Sequence, residues 1–434
     1  MVLKERPVVV EPSNDIARRT QGEHAARHNS GSVPSMGNGI AMPSVIAWLD
    51  ASSAETSRMR ELVKLFEMPE SVDDLAIGQF RDIISNSLFP GTSVLHVAAR
   101  YLLLVPWCYQ ASSHAKSGEL LRATSEQTER RLIRRFQELG VGSFIGSNAG
   151  DRVAQLPSAA YWSALRAWGI VRKDVERSGI GDAMIEESVF RRQGLPGESV
   201  WHAGLPMAPS GFPSMEEQGL ELNRAEAEWI RDRLLATVGD SLLAQMAAKP
   251  QRLLKTSLAP WTDPCAQSAT DDAAVWLKHA EAYSALQRGL DTTYYHLVTS
   301  EAHARFGSDG DEPHHVLVEE WQEDGQYRGL LQQWDLDDFM NRAGKANPRI
   351  QAASTYFLRR SVEELASGKH LMDNDELHRM VRDREKRAKG ANSRFVNERR
   401  LRSWVAPEQV NTQIFRWQQV RNMIIDIREG LSRA

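Results

Sequence analysis

The sequence predicts a mainly α, multi-helical fold, two packed helical lobes with few or no strands, and three observations predict it. Apolar residues recur three and four positions apart over long stretches, the period that lines one face of a helix. Side chains that cap helix starts stand just ahead of several of these stretches. Polar and apolar residues rarely alternate over a strand's length. The best instance, His315-Val316-Leu317-Val318, reads equally well as a buried helical turn.

In chain order, a helix is expected over about 53–67, where Ser52 and Glu55 form a capping box and Met59, Leu62, Val63 and Phe66 follow at helical spacing. Pro69 lies beyond its end, since proline removes a donor and clashes with the preceding turn. A second helix over about 72–87 carries Leu75, Phe80, Ile83 and Ile84. The turn Phe89-Pro90-Gly91 breaks it, and Thr92 or Ser93 is placed to cap a third over 94–105. Further amphipathic stretches run over 125–139 (Leu132, Ile133, Phe136, Leu139), over 224–248 behind the capping box Asn223 to Glu226, and over 272–306. The last carries Trp276, Ala280, Tyr283 and Leu290 on one stripe.

A chain of 434 residues exceeds the size at which one core usually stops growing, so more than one domain is expected. Residues 1–43 are polar, rich in Gly, Ser, Asn and Pro, with too few apolar positions to offset the entropy of ordering, and are expected to form a flexible leader. An N-terminal helical domain over 44–193, a Pro/Gly-rich loop or linker over 194–219 and a C-terminal helical domain over 220–434 complete the expected organisation. The net charge of −4 gives no whole-molecule field for nucleic acid or anionic membrane, so any such site is local. Two distant cysteines, Cys108 and Cys265, fit a reducing cytoplasm better than a disulfide scaffold. No apolar run approaches the ~20 residues that span a bilayer, so no membrane partner is expected.

The motifs Trp48-Leu49-Asp50, Leu88-Phe89-Pro90-Gly91-Thr92-Ser93, Ala99-Arg100-Tyr101 and Val105-Pro106-Trp107 occur in that order. With Leu156-Pro157-Ser158, Tyr161-Trp162, Trp168-Gly169-Ile170 and a basic C-terminal stretch containing Arg384-Glu385, Lys389-Gly390 and Asn397, the chain from about 44 onward resembles a bacterial family known only as a domain of unknown function. The resemblance implies no reaction. It implies a neighbourhood, because many such proteins are found beside helicases and nucleases in antiviral defence loci, a pointer toward DNA or RNA.

The strongest functional candidate is the basic segment 379–402, where Arg379, Arg382, Arg384, Lys386, Arg387, Lys389, Arg394, Arg399, Arg400 and Arg402 meet only Asp383, Glu385 and Glu398. Such cation density neutralises phosphates and releases counterions. Arg384, Arg387 and Arg394 are expected to share a face, and Phe395 and Trp404 offer stacking surfaces for unpaired bases. The plainer alternative is a solvated helix face neutralised by Asp and Glu elsewhere in the fold.

Arg100 stands inside an apolar helix, where a guanidinium needs a carboxylate or several carbonyls. Asp50, Asp74 and Asp82 are its nearest candidate partners in sequence, and an ion pair is preferred to an anion site. Asp50, Phe89, Pro90, Gly91, Thr92, Arg100, Tyr101 and Trp107 are thus expected to be structural, or to line a site. His279, His296, His303, His314 and His315 match no metal-ligand spacing, so no metal or other cofactor is expected. GxxxxGK[ST], GxGxxG, GxSxG and CxxC are all missing, and His114-Ala115-Lys116 is followed by Leu121 where a phospholipase-D-like nuclease needs aspartate. Most of the twelve tryptophans are expected in packing, and an exposed subset at a protein interface.

The sequence leaves the question of an enzyme open and leans against it. The leading expectation is a noncatalytic component of a multiprotein bacterial system acting on nucleic acid, with a protein partner and a place in antiviral defence. A metal-dependent nuclease whose carboxylates meet only in the fold is one alternative, and a protein-binding scaffold without nucleic acid is the other.

Overall fold

In the computed structural model, residues 73–214, 219–307 and 313–433 are described. The helix expected over 53–67, with Asp50 and the tryptophan-bearing segment before it, lies outside them. Asp73 opens the first described helix, α1 (Gly78–Leu88), by accepting the amides of Ile77 and Gly78 at 2.8 Å each. Ala76 sits just ahead at φ 54°, so the helix begins at Gly78 rather than near 72. α2 (Tyr101–Ala111) follows the turn after α1, with nearly every side chain buried. It begins later than the expected 94 because distant groups take the preceding amides. Tyr161 Oη accepts from Val97 and Ala98 at 2.8 and 3.0 Å, and Asp426 Oδ2 accepts from Ala99 at 2.9 Å. A helix would have used those donors internally.

Next come α3 (Gly118–Glu138), capped by Ser117, α4 (Pro157–Ala167), with proline at its first position, and α5 (Ile180–Arg192). The stretch expected as one helix over 224–248 is two, α6 (Arg224–Val238) and α7 (Leu242–Ala248), because Gly239 interrupts and Ser241 recaps by accepting the Ala244 amide. α8 (Pro264–Gln267) precedes α9 (Asp271–Phe306), 36 residues and about 54 Å long at 1.5 Å per residue. α10 (Pro313–Glu323) contains the stretch that had suggested a strand. α11 (Gly325–Gln333), α12 (Leu336–Ala346), α13 (Ala352–Ala366), α14 (Asp375–Lys389), α15 (Glu398–Arg402) and α16 (Trp417–Ser432) complete the fold. It is mainly α. Among the described residues the extended pairing is an isolated antiparallel bridge, Val171 to Trp201.

α9 is the axis, packed against α1, α10, α11, α13, α14 and α15. α2 lies between α3 and α4, and α16 returns to pack on α6 and α7. Two lobes divided at 194–219 were expected, yet the described residues on both sides of that stretch fall in one compact unit. The chain crosses the expected boundary twice: α1 packs on α9 and α12, and Arg416 and Asp426, just before and within α16, reach back to the Thr92 carbonyl and the Ala99 amide. Buried side chains from Leu75 to Ile427 accordingly belong to one continuous hydrophobic cluster.

Candidate nucleic-acid interface

Folding divides the basic segment into cations that hold the molecule together and cations left facing water. Arg384 is half-buried. It donates to the Leu75 and Ala76 carbonyls at 2.8 and 2.7 Å and to Ser354 Oγ at 2.9 Å, with its guanidinium over the Phe357 ring. Burial pushes its pKa down. Lys389 and Arg394 converge on Asp74 Oδ1, Arg394 at 2.8 Å, and both reach the Tyr294 hydroxyl. Burial works to raise Asp74, but Arg394 and Lys389 outweigh it and hold the carboxyl below its usual range. Glu385, fully buried, accepts from the Arg394 amide at 3.0 Å and from Ser393, and lies 3.4 Å from Lys389 Nζ.

Arg382 lies 3.7 Å from Glu301 and over the Phe395 ring, Arg379 pairs with Glu376, and Arg402 pairs with Glu398 at 2.8 Å. Phe395 is buried, and Trp404 donates to Thr299 Oγ1 while its ring covers Arg394. Neither ring offers the open face expected of it, because each is packed on the segment's own arginines. Arg384 and Arg394 likewise do not form a free face with Arg387: they bind parts of the chain more than 300 residues away in sequence.

Lys386, Arg387, Arg399 and Arg400 are exposed and meet no carboxylate among the described residues. Arg387 and Arg379 line a shallow cleft between α13 and α14 beside Tyr356, whose side chain is 67% exposed. The sequence held a weak signal for Tyr356, an aromatic one position off the buried stripe of an amphipathic helix.

The Leu88–Ser93 turn is rigid. Gly91 sits at φ 80°, and a Cβ there would lie 2.7 Å from that of Ala167. Ser163 Oγ donates to the Gly91 carbonyl, Trp168 Nε1 to the Pro90 carbonyl and Thr92 Oγ1 to the Phe89 carbonyl, at 2.9, 2.9 and 2.7 Å. Arg100 behind it is buried and paired with Glu226 at 2.8 Å while donating to the Gly219 carbonyl at 2.9 Å. Among the described residues its partner is therefore neither Asp74 nor Asp82 but the glutamate of the Asn223 capping box, and Asp50 lies outside them. Glu226 Oε2 still accepts from the Asn223 amide at 3.0 Å, so one carboxylate serves both roles. Tyr101 Oη accepts from the Ile145 amide, and Trp107 donates to the Pro206 carbonyl at 2.7 Å, pinning the Pro/Gly-rich stretch to α2.

Two clefts flank this turn. The first, about 780 Å³, is lined by Arg81 and Asp82 of α1, Thr92 and Ser93 of the turn, Ser163 and Arg166 of α4, Lys173, Phe415 and Arg416. Phe415 and Arg416 have φ of 54° and 66°, consecutive left-handed non-glycine residues that cost about 1–3 kcal/mol each. The bend places Arg416 Nη1 2.7 Å from the Thr92 carbonyl and 3.0 Å from Asn86 Oδ1. The second cleft, about 860 Å³, includes His96 and Asp426. His96 faces the Ala160 carbonyl through Nε2, 3.1 Å away, and burial pushes its pKa down to about 4. Its buried Nδ1 is left as an acceptor that meets no partner among the described residues.

Among the described residues no group of three or more His, Cys, Asp and Glu side chains is arranged for a metal ion. His279 bonds Asp338 and Trp334, both at 3.0 Å. No helix there is long and apolar enough to cross a membrane. No curated protein and no solved structure matches the chain. The sequence profile of DUF6361, a family of unknown function, matches residues 43–428. That match spans most of the chain, including the Leu88–Ser93 turn, both flanking clefts and the basic segment, and the protein therefore belongs to this family of unknown function.

Proposed function

We propose that the protein acts by binding, as a noncatalytic component of a multiprotein bacterial assembly on DNA or RNA, with antiviral defence as its setting. The observation that carries this reading is the quartet Lys386, Arg387, Arg399 and Arg400, exposed and unmatched by carboxylates among the described residues. Four such cations are a source of sequence-independent phosphate affinity. Tyr356 beside Arg387 adds an open ring on which a base can stack. Exposed apolar side chains such as Val405 and Leu258, 83% and 81% exposed, suit a protein partner. Asp74 and Glu385 do converge with a lysine, two of the three carboxylates a nuclease reading calls for, but both are held by Arg394, Lys389 and Ser393 as part of the fold.

Fluorescence anisotropy with single- and double-stranded oligonucleotides across a salt series tests the proposal. The intact protein is expected to bind at low salt and lose affinity steeply as salt rises. Replacing Lys386, Arg387, Arg399 and Arg400 together by Ala should flatten the log–log salt slope by up to ~4 on duplex DNA, at about 0.9 per phosphate contact. An unchanged slope would remove the quartet from the interface.

A further inference from the structure

In the second cleft beside the Leu88–Ser93 turn, the ionic side chains are engaged and the amides are not. Lys255 pairs with Glu429 at 2.9 Å, Glu221 lies 3.3 Å from Arg433, and Asp426 Oδ2 holds the Ala99 amide at 2.9 Å. Gln418, Gln419 and Asn422 recur three and four positions apart with Ile425 and Asp426, so one face of α16 forms a wall of the cleft. Gln418 and Asn422 are exposed, and none of the three amide side chains hydrogen-bonds to a described residue. Two acceptors along the lining, His96 Nδ1 and Gln419 Oε1, are buried and equally unmatched there, which is uncommon in a folded interior. Half-buried Val97, Val141, Leu220 and Ile425 add apolar surface around the amides. At about 860 Å³ the cleft lies within the range that encloses a small organic ligand.

We propose that this cleft binds a nucleobase, through the amide face Gln418, Gln419 and Asn422 of α16 and the apolar side chains around it. A carboxamide presents a donor and an acceptor side by side, and such a pair matches a base edge with two hydrogen bonds at once. The apolar side chains cover the ring faces, as a base taken out of its stack requires. A strongly charged ligand would find the counter-charges of the lining already paired. A purely apolar one would take the amides out of water without giving them partners. The base belongs either to a free nucleoside or to an unpaired position of a nucleic-acid strand. The first source stands without the basic quartet, and the second rests on the proposed binding to DNA or RNA.

The test is titration calorimetry with adenosine, guanosine, cytidine and uridine, and anisotropy with a short single strand and an abasic sugar-phosphate strand of equal length. The variants are Gln418→Ala with Asn422→Ala, and the isosteric Asn422→Asp, each with thermal melting to verify the fold. A nucleoside or the base-bearing strand is expected to bind the intact protein and to lose at least about fivefold in affinity in both variants, the lower end for one bidentate base contact. A preference for the base-bearing strand over the abasic one, lost in the variants, assigns the site to strands. Nucleoside binding without that preference assigns it to free nucleosides. The proposal is overturned if no nucleoside binds and the two strands behave alike, or if the folded variants keep the affinity of the intact protein. Neither result touches the basic quartet, because the salt-slope test reads phosphate contacts that nucleosides lack.

Discussion

Arg384 and Glu129 differ in how their chemistry is used. Arg384 gives its donors to two carbonyls and a hydroxyl from elements remote in sequence. Arg384→Ala is therefore expected to destabilise by roughly 1–3 kcal/mol, the cost of orphaning such acceptors, whereas exposed Lys386→Ala should stay within about 0.5 kcal/mol. Urea denaturation of the two variants checks the contrast, and equal midpoints would refute it. Glu129 is fully buried, with one oxygen accepting from the Ser158 amide at 2.7 Å and the other meeting no partner among the described residues. Burial, opposed by the bonds to Ser158, pushes its carboxyl up from 4.5 to about 7. Between those values the folded chain keeps a proton that the unfolded chain has released, so stability falls as pH rises from about 4.5 to 7. Glu129→Gln should remove that decline and raise stability at pH 8 by on the order of 2–3 kcal/mol relative to pH 4.5. Melting temperatures of both proteins across this range decide it, and parallel curves would mean that Glu129 ionises freely in the native state.

Turns and helices depend on partners to different degrees, and this governs how well each is legible in sequence. The Asn223–Glu226 capping box was readable because every group that makes it lies within four residues. The start of α2 was not, because Tyr161 and Asp426 arrive from 60 and more than 300 positions away to take its amides. The same limit applies to the basic segment: its charge is plain in the sequence, but that Asp74 claims Lys389 and Arg394 is a property of the fold. In the Leu88–Ser93 turn, Gly91 combines a left-handed backbone with contact against α4. Gly91→Ala should cost at least about 2 kcal/mol through strain and clash together. A denaturant midpoint equal to that of the parent would show that the turn relaxes without consequence.

For the whole molecule, the crossing of α1 and α16 over the expected boundary makes one cooperative body. Unfolding of the described body is expected as a single transition, coincident by far-ultraviolet circular dichroism and tryptophan fluorescence. Two resolved transitions would restore separable lobes. Helical class and the approximate positions of α1, α3, α6 and α9 followed from local periodicity, whereas neither cleft did, since residues as far apart as Arg81 and Arg416 must meet to form one. α16 has a further consequence in time. Its buried face, Trp417, Val420, Met423, Ile424 and Ile427, covers α6, while Arg416 and Asp426 secure the Thr92 carbonyl and the Ala99 amide. On the ribosome, α6 emerges nearly 200 residues before this cover does, roughly 10–40 s at ~5–20 residues per second. A nascent chain stalled in that interval carries an uncovered apolar helix, and neither cleft is complete until synthesis has passed α16.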